Sequence, residues 1–442
     1  QFNESIESEF TGIGAEVSIE NNRLHIVTPL EDSPAWKAGV MAGDTVLEIE
    51  GTDTFDLPIN DAIKLLKGPA GTDVTIKVRH ANGEEATLTI TRDRIEVQTV
   101  RGFSRNADHG YDYFLDRDAG VGYLRITQFG VPTAGEVEAK LRELKDDGLS
   151  ALILDLRYNP GGLLDAAVKI SDLFLTEGQT VVSVRGRAVP ETVYRSTGDT
   201  LLPGIPVVVL ANPFSASASE IVAGALSEND RALFVGERTF GKGSVQQPKM
   251  LSGDQGVLKI TNAYYYLPTG RNIHRRADAE TWGVDPSDDA YVPMNPDQRR
   301  ERIEARRARD IIDAQNGNGS PDETVTSDWI EDTLKDPQLA AALRAIQGKL
   351  DTGDWPAVGK SNADELVRLA EREQLNRQRE LLEESLAEVN EKLRKLGTDE
   401  PAGITDPEAE AQSEAEAGPP LDPTPGLTPA DVAEELEEAV AP

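Results

Sequence analysis

The sequence predicts an α/β multidomain chain: a β-rich module with two helices, an α/β core, a helical C-terminal region and a disordered acidic tail. Three observations predict it. Residues 10–92 alternate apolar and polar positions between turn signals, the period of half-buried strands. Residues 93–293 alternate helices with strands, and strands such as ALILDL and PVVVLA are continuous apolar runs, as in a parallel sheet covered on both faces. Residues 294–397 then read as helix, and residues 398–442 carry Asp and Glu but no Lys or Arg, a composition that cannot bury a core.

The elements follow in order. Residues 1–9 read as the remnant of an N-terminal segment. AEVSIENNRLHIVTPL is a strand pair turning at ENN, SPAWKAGVMAGDTVLEIEG a short helix and a strand, and PINDAIKLLKG a second helix. TDVTIKVRHANGEEATLTITR is a hairpin with NG at its turn. IEVQTV connects to the core strand GVGYLRITQF, the helix AGEVEAKLRELKDDG and the buried strand ALILDLRYN. LLDAAVKISDLFL, PVVVLAN, a helix after a cluster of serines, and ALFVGER continue the alternation, and GVLKITNAYYYL is among the strands that close the core. Beyond it, RRERIEARRARDIIDAQ, DPQLAAALRAIQGKL and the stretch from NADELV to LRKL are expected to be amphipathic helices packed on the core or on a second subunit.

Composition narrows the function. The 442 residues include no cysteine, which excludes disulfides, thiolate metal sites and a cysteine nucleophile. A net charge of −33 disfavours nucleic acid and anionic membranes as partners, because both require basic surface. No apolar stretch is long enough to span a bilayer as a helix. The chain starts at Gln1 with no leader, so a targeting segment is expected to have been removed or left out.

The motif NPFSASASEIVAGAL, residues 212–226, places Ser215, Ser217 and Ser219 at alternate positions between an apolar strand and a helix start. A serine hydroxyl needs an adjacent base to act as a nucleophile. Of the four histidines, His25, His80, His109 and His274, none lies in a motif that pairs with the cluster. A lysine serves where its surroundings keep it neutral, and Lys242, between Gly241 and Gly243 after the strand ALFVGE, is the candidate. YNPGG, residues 158–162, ends a buried strand before a helix, so its glycine amides lie at the carboxyl end of the sheet, where α/β folds place ligands. Taken singly, the serines read as helix caps, the lysine as a surface loop and YNPGG as a plain turn; their combination points to acyl transfer.

DLRYNPGGLL, NPFSASASEIVAGAL, VGERTFGKGSVQ and YYYLPTGRNIH, in that order and after the module FTGIGAEV to DTVLEIEG, resemble the carboxy-terminal processing peptidases, tail-specific serine proteases with a PDZ domain. The resemblance implies a PDZ module over residues 10–92 joined to a protease core of the ClpP/crotonase-like type. It implies Ser217 as nucleophile, Lys242 as general base, Gln246 as the residue orienting the lysine, and an oxyanion hole from the amides of Ala218 and of Gly161 or Gly162. Glu220 becomes a supporting residue, with Ser215 and Ser219 left to capping or packing. The loop GIGAEV would hold a chain-terminal carboxylate on amides around Gly12, Ile13 and Gly14, with Ile59, Ile63 and Leu66 lining the pocket. No metal or cofactor is implied. Expected partners are proteins or peptides with accessible C-termini, with room for a homo-oligomer or an adaptor protein, in the bacterial periplasm or cell envelope.

Arg92, Arg94 and Arg101 stand where module and core join and read as surface charge or as couplers of the two. Two other readings remain. One is a catalytically silent PDZ scaffold, against which the intact Ser217, Lys242 and Gln246 argue; the other is a carrier or hydratase-like use of a related core.

Overall fold

The computed structural model describes residues 9–106, 110–187, 189–250, 257–276, 281–311, 325–361 and 363–396. The expected tail, residues 398–442, and the segment 1–8 lie outside them. Contacts divide the chain into Gln1–Leu369 and Ala370–Pro442.

The amino-terminal module pairs β1 (Glu9–Gly12) antiparallel with β7 (Asp93–Glu96) and builds one antiparallel sheet from the strands between. The order in that sheet is β2 (Ala15–Glu20), β3 (Arg23–Pro29), β4 (Thr45–Ile49), β5 (Asp73–Arg79) and β6 (Glu85–Thr91), with Thr52–Asp53 added on β4. Asn21 and Asn22 both have positive φ, the two-residue turn whose twist suits the β2–β3 hairpin. The strands bury Leu24, Ile26, Val46, Val74, Ile76 and Val78 against α1 (Pro34–Lys37) and α2 (Ile59–Leu66). Strand β2 is the sheet edge. The junction arginines are tied down: Arg92 donates to the Leu65 and Leu66 carbonyls, Arg94 pairs with Glu9, and Arg101 lies 3.7 Å from Asp310.

The core sheet runs β8 (Phe114–Asp116), β9 (Val121–Ile126), β10 (Ala151–Asp155), β13 (Val207–Ala211) and β14 (Leu233–Gly236), with Val100–Arg101 beside β9. From β9 to β14 the strands are parallel. Leu152, Leu154, Val207 and Val209 face α3 (Thr133–Asp146), α4 (Leu164–Asp172) and α5 (Ala218–Glu228). Ile153, Val208 and Leu210 face the other way, onto Leu339, Ala340 and Leu343 of α8 (Pro337–Thr352). Burial on both faces explains why these strands read as unbroken apolar runs. A four-stranded antiparallel sheet, in the order β12 (Val189–Arg195), β11 (Thr180–Gly186), β16 (Val257–Tyr266), β15 (Ser244–Met250), completes the core.

Helices α6 (Pro296–Asp310) and α8, with the short α7 (Ser327–Thr333) between them, are joined to the sheet by buried charge. Arg157, with its side chain fully buried, donates to Asp155 at 2.7 Å and to Asp336 at 2.7 Å, and Arg302 of α6 donates to Asp336 at 3.1 Å. Asp336 also caps α8 by accepting from Leu339 N. Burial opposes its ionisation, but Arg157 and Arg302 prevail and hold its pKa down at about 2. Arg157 directly precedes YNPGG, so the C-terminal helices brace that loop. The last helix, α9 (Ala363–Leu396), carries Leu375, Leu382, Leu386 and Val389 exposed in its second-unit part.

Candidate active site

The turn between β13 and α5 is sharp. Ser217, at the N-cap of α5, has φ 56° and ψ −113°, a conformation that side chains rarely adopt and that neighbouring structure must hold. The flanking serines do that holding. Ser215 Oγ donates to the Leu156 carbonyl at 2.9 Å and accepts from Asn212 N, while Ser219 Oγ donates to the Asn159 carbonyl at 2.9 Å. Ala216 N donates to the same Asn159 carbonyl. The alternate spacing thus sends Ser215 to the end of the preceding strand at Leu156 and Ser219 to the YNPGG loop at Asn159, and leaves Ser217 outside that stitching.

The loop meets the serine at close range. A Cβ on Gly161 would stand 2.5 Å from the Ala216 carbonyl oxygen and 2.9 Å from Ala218 N, so only glycine fits. Gly161 N is already donated to Asn159 Oδ1 at 2.8 Å. Gly161 O and Leu163 N pair with Phe129, which turns the Gly162 peptide to the opposite side. The N–H groups of Gly162 and Ala218 have no acceptor among the described residues, and Ala218 begins a helix whose dipole favours negative charge.

Glu220 joins the serine to the lysine. Its fully buried carboxylate accepts from Ser217 N and Lys242 N, each at 2.8 Å, and from Thr239 Oγ1 and Gly241 N, each at 2.6 Å. Burial pushes its pKa up, and these four donors oppose the shift. The Lys242 side chain itself is exposed, and no bond joins it to Ser217 among the described residues. Gln246 is exposed on β15. The Tyr265 hydroxyl lies within hydrogen-bonding reach of the Ser217 side chain, and burial pushes its pKa up.

Sequence reasoning missed four neighbours. Asn159 orients Gly161 and receives Ala216 and Ser219; Thr239 bridges Glu220 and Val284 N; Tyr265 reaches Ser217; His274 packs on Gly243. Asn159 lies inside a quoted motif, and its side chain could have been suspected there. Thr239, Tyr265 and His274 also lie inside quoted motifs, VGERTFGKGSVQ and YYYLPTGRNIH, but nothing in those motifs says which of their residues turn toward the serine or its neighbours.

In the amino-terminal module a cleft of about 1060 Å³ runs between β2 and α2. Ile13, Gly14, Ala15 and Val17 line one side, and Ile63 and Leu66 the other. Ile59 packs against the module's own core, and Gly12 also lines the cleft. The carbonyls of Ile13 and Gly14 are tied inward to Ala35 N and Leu30 N, leaving their own N–H groups without acceptors among the described residues.

Comparison with known proteins agrees with this layout. Residues 120–287 match peptidase family S41, and residues 25–80 match the PDZ domain. The carboxy-terminal-processing protease of Bartonella bacilliformis is 35% identical over 365 residues, covering 80% of this chain and 78% of that protein. The chain belongs to this family. A probable CtpA-like serine protease of Staphylococcus haemolyticus is 30% identical, covering 79% of this chain and 68% of its own. The solved photosystem II D1 C-terminal processing protease is 31% identical, covering 64% of this chain and 72% of that one, with a TM-score of 0.38. The two family matches give the architecture of this chain, a PDZ domain with an S41 serine-type peptidase core. No helix among the described residues is long and apolar enough to cross a membrane.

Proposed function

We propose that this family member is an endopeptidase that takes protein C-termini into its PDZ cleft and cuts through an acyl-enzyme on Ser217, with Lys242 as general base. Ser217 Oγ attacks the scissile carbonyl carbon while neutral Lys242 Nζ takes the hydroxyl proton. The oxyanion accepts from the Ala218 and Gly162 amides. Collapse breaks the C–N bond, and the lysine ammonium protonates the leaving amine. A water molecule, deprotonated by the same lysine, then attacks the ester and frees Ser217. Gln246 steadies the lysine.

One observation carries the reading: a single buried carboxylate, Glu220, accepts from the backbone of Ser217 and of Lys242. Two segments far apart in sequence are thereby fixed to each other at their reactive residues, and rotation of an exposed lysine side chain is what remains for Nζ to meet Oγ. A fluorogenic peptide assay with Ser217→Ala and Lys242→Ala, alongside acylation by a serine-directed fluorophosphonate, tests it. Loss of turnover in both variants, with labelling lost in Ser217→Ala, is expected; full turnover in either sinks the dyad, and a parent protein with neither turnover nor labelling favours the scaffold reading. Action in the periplasm or cell envelope rests on the family resemblance, and fractionation of native cells tests it.

A further inference from the structure

We infer that the PDZ cleft selects C-terminal segments bearing acidic side chains, through Lys64 and Lys67; this rests on the reading of the cleft as the C-terminus site. The cleft is an exception to the molecule's charge. In a chain of net charge −33, its lining among the described residues includes Lys64 and Lys67 and no carboxylate. The side chains of β2 explain how acid is kept out. Ala15 and Val17 line the cleft, while Glu16, on the opposite face of the strand, lies 3.9 Å from Arg307.

The geometry orders the ligand. An extended peptide added antiparallel to the free edge of β2 ends at the N–H groups of Ile13 and Gly14, with its upstream residues running along the strand. Helix α2 runs beside it from Asn60 toward that end, so Lys67 stands by the terminus and Lys64 one turn upstream. The Lys67 ammonium is 5.2 Å from the centre of the Phe10 ring, and Phe10 in turn lies 3.4 Å from where a Gly12 Cβ would be, beside the carboxylate loop. Lys64 is held by Asp61 at 2.7 Å in an exposed pair of the kind that is weak and readily exchanged for a ligand carboxylate. The terminal side chain packs on Ile63 and Leu66, and acidic side chains just upstream meet the lysines.

The molecule's overall negative field repels such peptides, but at physiological salt it is screened beyond about 8 Å, whereas contact pairs are not. Local charge therefore decides the preference. The test is fluorescence anisotropy with full-length Ser217→Ala protein and dye-labelled decapeptides ending Ala-Val-Ala, preceded by Glu-Glu, Gln-Gln or Lys-Lys, plus an amidated Glu-Glu peptide. Affinity is expected to fall from Glu to Gln to Lys by about three- to fivefold per step at 0.15 M salt, and Lys64→Glu, checked for an unchanged melting temperature, should reverse the Glu and Lys ranking. Equal affinity for the three free peptides, with amidation still abolishing binding, overturns the acid preference and leaves the cleft reading intact. Equal binding of free and amidated peptides means that the cleft reading itself has failed.

Discussion

At the scale of single residues, three buried groups carry the site, and each makes a separate prediction. Glu220 receives four donors on two oxygens. In Glu220→Gln the amide nitrogen must face two of those donors, so the serine and lysine backbones shift apart. We expect kcat to fall roughly 10²-fold, the cost of about an ångström of misplacement, with KM little changed. Steady-state kinetics on a protein of unchanged secondary structure checks this, and a parent-like kcat refutes it. Ser215→Ala removes the bond to the Leu156 carbonyl and strands a buried amide, a loss of about 1–3 kcal/mol in denaturant unfolding, while turnover below the melting range persists. Gly161→Ala drives a methyl to 2.5 Å from the Ala216 carbonyl and should silence the enzyme without touching Ser217 itself.

At the scale of elements, the C-terminal helices are held by charge as well as by apolar contact. Helix α8 lays Leu339, Ala340 and Leu343 on the sheet, and the small alanine lets it approach closely. Its N-terminus is fixed by Asp336, which Arg157 and Arg302 both reach. Asp336→Ala leaves two buried guanidinium groups without that partner and removes the cap, so we expect a loss of about 3–5 kcal/mol, larger than apolar truncation of so small a side chain would give. Chemical denaturation measures it. Since Arg157 adjoins YNPGG, the same variant should lose activity at temperatures where it is still folded; unaltered kcat would mean that the brace does not reach the loop.

For the whole molecule, the buried ion network predicts acid sensitivity. Asp336 titrates at about 2, and Asp155 and Asp310 are likewise held below the ordinary range: burial opposes their ionisation and the adjacent arginines outweigh it. A depressed folded-state pKa gives stability that is present in full above the unfolded value, near 4, and lost as pH falls through the folded value. Glu220 and Glu237, whose pKa values burial raises, work in the opposite direction. With three depressed carboxylates bound to arginine, melting temperature should drop steeply between about pH 4 and pH 2. A flat profile there would show the network to be unimportant. The module meets the core through Glu31, whose neighbour Leu30 is bonded to Gly14, and the buried Arg105, 3.1 Å apart.

The sequence by itself determined the architecture and singled out the candidate motifs. Runs such as ALILD and VVVLA can only be satisfied between two covering layers, and paired asparagines at 21–22 suit only a tight hairpin. Four motifs in fixed order named Ser217 and Lys242 as candidates because nucleophile, base and amide loop must each be locally built. Tertiary structure decided how they meet. The four donors on Glu220 come from two separate segments, Ser217 and residues 239–242; the Gly161 amide is spent on Asn159 while that of Gly162 has no acceptor among the described residues; and Tyr265 reaches the serine from a different sheet. The serine spacing could not say which hydroxyl is left untied to the preceding strand and loop, since that depends on where the Leu156 and Asn159 carbonyls point. Periodicity records which face of an element is buried, but hydrogen bonds between distant segments depend on the packing of the whole chain, and no local pattern encodes them.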